Sequence, residues 1–147
     1  MKRLVALALL SAAGCGGGAP EIVARDRDGA VVAEAALPAS GRFALTYRHS
    51  VYGAPAEERF RATGDGFVLE SVASPSAQVI DYYELEGRRT RENGWWVMTP
   101  ARPARFGTMA LAATRLGRRT LVAGSRRLPL YRTDDRAAHL RLAVEGT

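Results

Sequence analysis

From Glu21 onward the chain breaks into short runs of alternating apolar and polar residues, with turn chemistry between most of them. Period-two alternation sends successive side chains to opposite faces of an extended strand, so the pattern predicts β-structure with one buried face. Glu21–Arg25 and Ala30–Glu34 flank Asp26-Arg27-Asp28-Gly29, whose Asp-Gly step suits a hairpin turn. Pro38-Ala39-Ser40-Gly41 breaks the chain. Arg42–Arg48 then alternates cleanly, with Phe43, Leu45 and Tyr47 on one face and Arg42, Thr46 and Arg48 on the other. Glu57–Ala62 and Phe67–Val72 flank Gly64-Asp65-Gly66 and predict a second hairpin. Trp95–Met98, Met109–Ala113, Thr120–Ala123, Leu128–Tyr131 and Leu140–Val144 complete the set. Ala77–Leu85 predicts a helical turn or two, and no window carries a long, capped amphipathic helix. Strands at this spacing predict an all-β fold, a small antiparallel β-sandwich or barrel, with no internal repeat.

The chain has 147 residues, 47% of them hydrophobic. That is enough for one real core and too little for two. Before the strands lies a different kind of segment. Lys2 and Arg3 precede the apolar run Leu4-Val5-Ala6-Leu7-Ala8-Leu9-Leu10, and the small residues Ser11-Ala12-Ala13-Gly14 precede Cys15. This is the layout of a secretory signal peptide, and its apolar run is too short for a permanent bilayer span. Ala-Ala-Gly-Cys resembles the bacterial lipoprotein signal, in which the cysteine becomes the first mature residue and carries lipid. Ala12 stands three residues before Cys15, where Leu is more usual. Cys15 is the sole cysteine, so neither an internal disulfide nor a cysteine metal site is expected. Gly16-Gly17-Gly18-Ala19-Pro20 reads as a flexible tether. The expected organisation is a signal peptide over residues 1–14, a tether over 15–20 beginning at lipidated Cys15, and a single β domain over 21–147. The expected location is extracytoplasmic, anchored by lipid to a bacterial membrane.

The formal net charge is +6, and of 21 cations only Lys2 is a lysine. Loss of the leader removes Lys2 and Arg3 and leaves 19 cations against 15 acids. A basic chain can favour nucleic acid or anionic surfaces, but an exported location argues against nucleic acid as a partner. Arg88-Arg89-x-Arg91, Arg118-Arg119 and Arg126-Arg127 form short basic clusters that suit either anionic solutes, lipid headgroups or a solvated surface. Of Trp95 and Trp96, alternation lets only one face the core.

The two histidines are His49 and His139. His49 and Ser50 close the best strand. Adjacent strand residues point to opposite faces, so they are not expected to pair as base and nucleophile. There is no Gly-x-Ser-x-Gly elbow, no His-Glu-x-x-His pair and no calcium loop. No cofactor and no metal site are therefore expected, and the chain reads as a non-enzyme. A hydrolase or metal-dependent enzyme centred on His49 is the alternative. His139 reads as an exposed surface residue.

Residues 43–58, Phe43-Ala44-Leu45-Thr46-Tyr47-Arg48-His49-Ser50-Val51-Tyr52-Gly53-Ala54-Pro55-Ala56-Glu57-Glu58, resemble a bacterial family known as domain of unknown function 1850. Its members are small exported proteins with a strand ending in Tyr-x-His-Ser-Val, followed by a Pro and an acidic residue. Gly117-Arg118-Arg119-Thr120-Leu121 resembles the family's distal segment. Ser74-Pro75-Ser76-Ala77 stands where members often carry Gly-Ala-Gly-x-Pro. The resemblance implies no established activity. It implies a setting beside TRAP-type solute transporters of the TAXI class, and hence a binding or assembly module that contacts a transporter component or its solute-binding protein. A structural envelope lipoprotein is the competing expectation. His49, Ser50, Glu57 and Glu58 are the candidate functional motif, in which Glu57 or Glu58 returns across a hairpin loop to meet His49 and favour its imidazolium.

Overall fold

A computed structural model describes residues 18–146, and Cys15 with its leader lies outside them. The chain forms two antiparallel sheets, sandwich-like and not closed into a barrel. The strands are β1 (Glu21–Arg25), β2 (Val31–Ala36), β3 (Arg42–Arg48), β4 (Pro55–Thr63) and β5 (Gly66–Ser74). The short helix α1 (Ala77–Tyr82) follows, then β6 (Gly87–Glu92), β7 (Trp95–Pro100), β8 (Arg105–Phe106), β9 (Thr108–Ala113), β10 (Thr120–Ala123), β11 (Arg126–Pro129) and β12 (Ala138–Glu145). The small sheet runs β2-β1-β12-β9. The large sheet runs β11-β10-β3-β4-β5-β7-β6, with β8 also on β5.

Both expected hairpins form. In the β1–β2 turn, Asp26 Oδ1 accepts the N–H groups of Asp28 and Ala30, and Gly29 takes the positive φ of 84° that the turn needs. The β4–β5 hairpin turns at Gly64 and Asp65. The expected strand at Leu128–Tyr131 lies two residues earlier, at Arg126–Pro129. Strand β6 has no counterpart among the expected strands.

The inward faces of the two sheets supply the core. Phe43, Leu45, Phe60, Phe67 and Val72 come from the large sheet, and Ile22, Leu140 and Leu142 from the small one. Phe67 sits at its centre. Its ring meets Phe43, Phe60 and Phe106 at centroid separations of 5.3, 5.5 and 5.4 Å, edge-on to the first two and stacked on the third. Aromatic pairs in such arrangements add about 0.5–1.5 kcal/mol each beyond area burial. Trp96 packs against this core and is capped by Arg91, whose Cζ lies 4.4 Å from the ring centroid.

The outer face of the large sheet is held by ion pairs. Glu70 takes Arg42 and Arg61, and Arg59 bridges Glu57 and Glu92. These pairs are largely solvent-exposed, so each contributes little. The chain crosses from small to large sheet between β9 and β10, through Thr114–Arg119. That crossing sets up the site.

Candidate functional site

At one end of the sandwich the sheets splay, and a cleft of about 540 Å³ opens between β3, β4, the end of α1 and the Thr114–Arg119 crossover. The crossover is pinned to the end of β3, where the Arg48 N–H donates to the Gly117 carbonyl at 2.7 Å. The Gly117 N–H in turn donates to Thr114 Oγ1 at 3.0 Å. An antiparallel register of Thr120 on Thr46 and Leu121 on Leu45 then sets Arg119 beside Tyr47. The distal basic segment and the His-Ser motif, about seventy residues apart in sequence, so come to line one cleft.

His49 follows β3 in a tight loop. Its N–H donates to the Ala54 carbonyl and its own carbonyl accepts the Gly53 N–H, at 2.9 and 2.8 Å. The residue is 5% exposed. Tyr82 meets it edge-on at 4.7 Å and Tyr52 stacks on it at 5.3 Å. Its Nδ1 accepts two long main-chain bonds, from the Val51 and Tyr52 N–H groups, at 3.3 and 3.4 Å. A nitrogen that accepts carries no proton, so in this geometry the hydrogen sits on Nε2. Nε2 has no partner within the described residues. Since no buried side-chain nitrogen or oxygen there lacks one, Nε2 reaches solvent through the cleft that His49 lines.

The expected pairing of His49 with Glu57 or Glu58 does not form. The hairpin closes with Arg48 opposite Pro55, so Glu57 and Glu58 fall opposite Thr46 and Leu45, several rungs back from His49. Alternation then parts the two acids. Glu57 points to the outer face, where its Oε1 accepts from Arg59 Nε at 2.6 Å. Glu58 points inward and lines the cleft with Ser50 and His49. His49 itself pairs with main-chain N–H groups in its own loop. His139 is exposed on β12, beside a separate hollow of about 590 Å³ on the small sheet.

Glu58 anchors a polar network. Its Oε1 accepts from the Tyr83 hydroxyl at 2.8 Å, and its Oε2 lies 3.6 Å from Arg119 Nη1, closer to an ion pair than to a hydrogen bond. The Tyr83 and Tyr47 hydroxyls share a further short hydrogen bond. The Arg119 guanidinium covers the Tyr47 ring, with Cζ 4.5 Å from its centroid. Burial first, and the Glu58 charge second, push both phenols above their ordinary range, Tyr83 far more than Tyr47. Both therefore remain protonated and serve as donors.

Tyr82 and Tyr83 were not singled out by the sequence pattern. The available signal was the predicted helical turn at Ala77–Leu85, whose end delivers both rings. The helix is placed by Ser74, fully buried, whose Oγ donates to the Pro55 carbonyl at 2.7 Å and accepts the Ser76 N–H at 3.1 Å. Among the described residues no group of three or more His, Cys, Asp and Glu side chains is gathered to hold a metal ion.

A family model described as "Domain of unknown function (DUF1850)" matches residues 43–130, which include every side chain of the Tyr47–Tyr83–Glu58–Arg119 network and His49. No curated protein and no solved structure matches the chain.

Proposed function

The chain belongs to the DUF1850 family, and from that premise we propose that it is a lipid-anchored, extracytoplasmic binding module that supports a TRAP-type solute transporter. The observation that carries a binding role over a catalytic one is the state of His49. Its Nδ1 faces the Val51 and Tyr52 N–H groups of its own loop, and among the described residues no serine hydroxyl bonds the ring, so the base–nucleophile contact of a hydrolase is not formed. The Tyr47 and Tyr83 hydroxyls are held as donors in the Glu58 network. A site built this way suits holding a partner or ligand in place.

The anchor rests on the Ala-Ala-Gly-Cys15 layout and the glycine run after it. Confinement to a membrane raises the effective concentration toward a membrane partner, so a weak interface suffices. The transporter enters through the family's genetic setting.

Two experiments test the proposal. Cys15→Ser should release the protein from the membrane fraction and abolish lipid labelling. Unchanged membrane association would remove the anchor. Affinity capture of the tagged, full-length protein from solubilised membranes should recover a permease subunit or solute-binding protein, and a deletion strain should lose uptake of at least one solute. No transporter component recovered, together with normal uptake of every solute tested, would overturn the role.

A further inference from the structure

The cleft holds more hydrogen-bond donors than it has acceptors to receive them. Arg119 offers a guanidinium fork of five N–H groups, yet donates no hydrogen bond within the described residues. Its one acidic neighbour, Glu58, stands off at 3.6 Å and already accepts from Tyr83. Arg48 lines the same cleft with neither a hydrogen bond nor an ion pair from its side chain among the described residues, and its Nε passes near Gly53 at the rim. His49, a residue only 5% exposed, adds Nε2–H from a ring oriented by its two long main-chain bonds and its packing on Tyr52 and Tyr82, and unpartnered among the described residues. Arg119 and His49 flank the same Tyr47 ring, and Arg48 stands at the exposed rim of the volume they line.

We infer that this cleft binds a small organic carboxylate, held by the Arg119 and Arg48 guanidinium groups and the His49 Nε2–H. The inference deepens the binding-module reading and rests on it for the biological use of the bound acid. Three features select the ligand class. First, Arg48 and Arg119 face Glu58 in the cleft, and Arg115 and Arg118 face Asp135 in the adjoining volume, so cations outnumber acids and an anion is favoured. Second, a planar carboxylate matches the arginine fork with two parallel bonds. Third, the mouth is apolar and aromatic. Tyr82 is 59% exposed beside His49, and Leu116 is 79% exposed in the adjoining part of the cleft. Large apolar side chains left in water around a polar cleft suit an organic body attached to the acid. The adjoining volume, about 930 Å³, shares Arg48, His49 and Ser50 with the first and gives that body room.

The test uses the full chain in a non-ionic detergent, titrated with benzoate and butyrate. Benzamide, butyramide and inorganic phosphate serve as controls. Binding is read by calorimetry and by nuclear magnetic resonance of the His49 ring and the arginine side-chain N–H groups. The carboxylates should bind saturably and shift the His49 ring, while the amides and phosphate leave it unmoved. Arg119→Gln or Arg48→Gln should weaken binding by about tenfold or more, and Arg48→Gln, outside the tyrosine network, should keep the native spectrum. The inference falls if neither carboxylate gives a saturable response up to about 10 mM, well above the range of a ~1 mM site. It falls equally if amide or phosphate binds as well as carboxylate, or if both folded variants bind as tightly as the parent. Transporter capture is read separately, so loss of carboxylate binding with capture intact overturns this inference and spares the accessory role.

Discussion

Tyr83→Phe isolates the hydroxyl that joins α1 to Glu58, and its consequence differs at neutral and alkaline pH. At pH 7 the substitution removes a hydrogen bond to a carboxylate whose side chain is 15% exposed, and leaves the Tyr47 hydroxyl without its partner. A hydrogen bond to a charged group contributes about 1.5–3 kcal/mol net, so a loss of about 2 kcal/mol is expected. The alkaline effect follows from proton linkage. The unfolded Tyr83 phenol releases its proton near pH 10, whereas burial and Glu58 make the folded one retain it well above that. Above about pH 10 the unfolded state therefore binds fewer protons than the folded state, and stability declines as pH rises. The contribution is whole below pH 10, and at pH 11 one such phenol has forfeited about 1.4 kcal/mol. Urea unfolding followed by the fluorescence of Trp95 and Trp96 reads both effects. The wild type should lose stability between pH 8 and pH 11, and Tyr83→Phe should start lower and fall less. A variant within about 0.5 kcal/mol of wild type at pH 7 would show that the network does not stabilise the fold. An alkaline decline equally steep in both proteins would assign the titration to another group.

Phe67→Ala, at the centre of the four-phenylalanine cluster, should cost about 3–5 kcal/mol in urea unfolding. Ser74→Ala removes both hydrogen bonds of a fully buried hydroxyl and should cost about 1–3 kcal/mol, with loosened amide-exchange protection in α1. Gly66→Ala should block accumulation of soluble folded protein in an expression test, because a β-carbon there would stand 2.0 Å from the Phe106 carbonyl oxygen on a backbone with φ of 144°.

Much of the architecture could be read from local pattern. The Phe43-Leu45-Tyr47 alternation marked the inward face of β3, and the Asp-Gly and Gly-Asp-Gly turns marked two hairpins. Strand β6 escaped because Arg88, Arg89, Thr90 and Arg91 carry no alternation: an edge strand exposed on both faces has no buried side to advertise. Its real signal was Asn93-Gly94, whose φ values of 50° and 85° are those of a tight two-residue hairpin turn. The choice between Glu57 and Glu58 was beyond pattern, since either satisfies the motif. It is decided by the loop length that sets Arg48 opposite Pro55, and a slip of one residue would exchange the two. Arg119 could not be told from Arg118 by type. Only its approach to Tyr47 across the β3–β10 pairing distinguishes it.

The open ends of the large sheet carry a further implication. A sheet that does not close exposes unpaired main-chain groups at β6 and β11, each able to accept another strand. Those two strands carry the basic clusters Arg88-Arg89-x-Arg91 and Arg126-Arg127. Two molecules meeting along β6 would bring arginine against arginine on neighbouring rungs, a repulsion that grows with each rung added. Arg89 and Arg91 also pack on Trp96, and Arg89 pairs with Asp81, so the charge barrier at the open edge comes in addition to those contacts. Replacing Arg88 with threonine, which leaves the Trp96 contacts in place, should therefore raise self-association in light scattering.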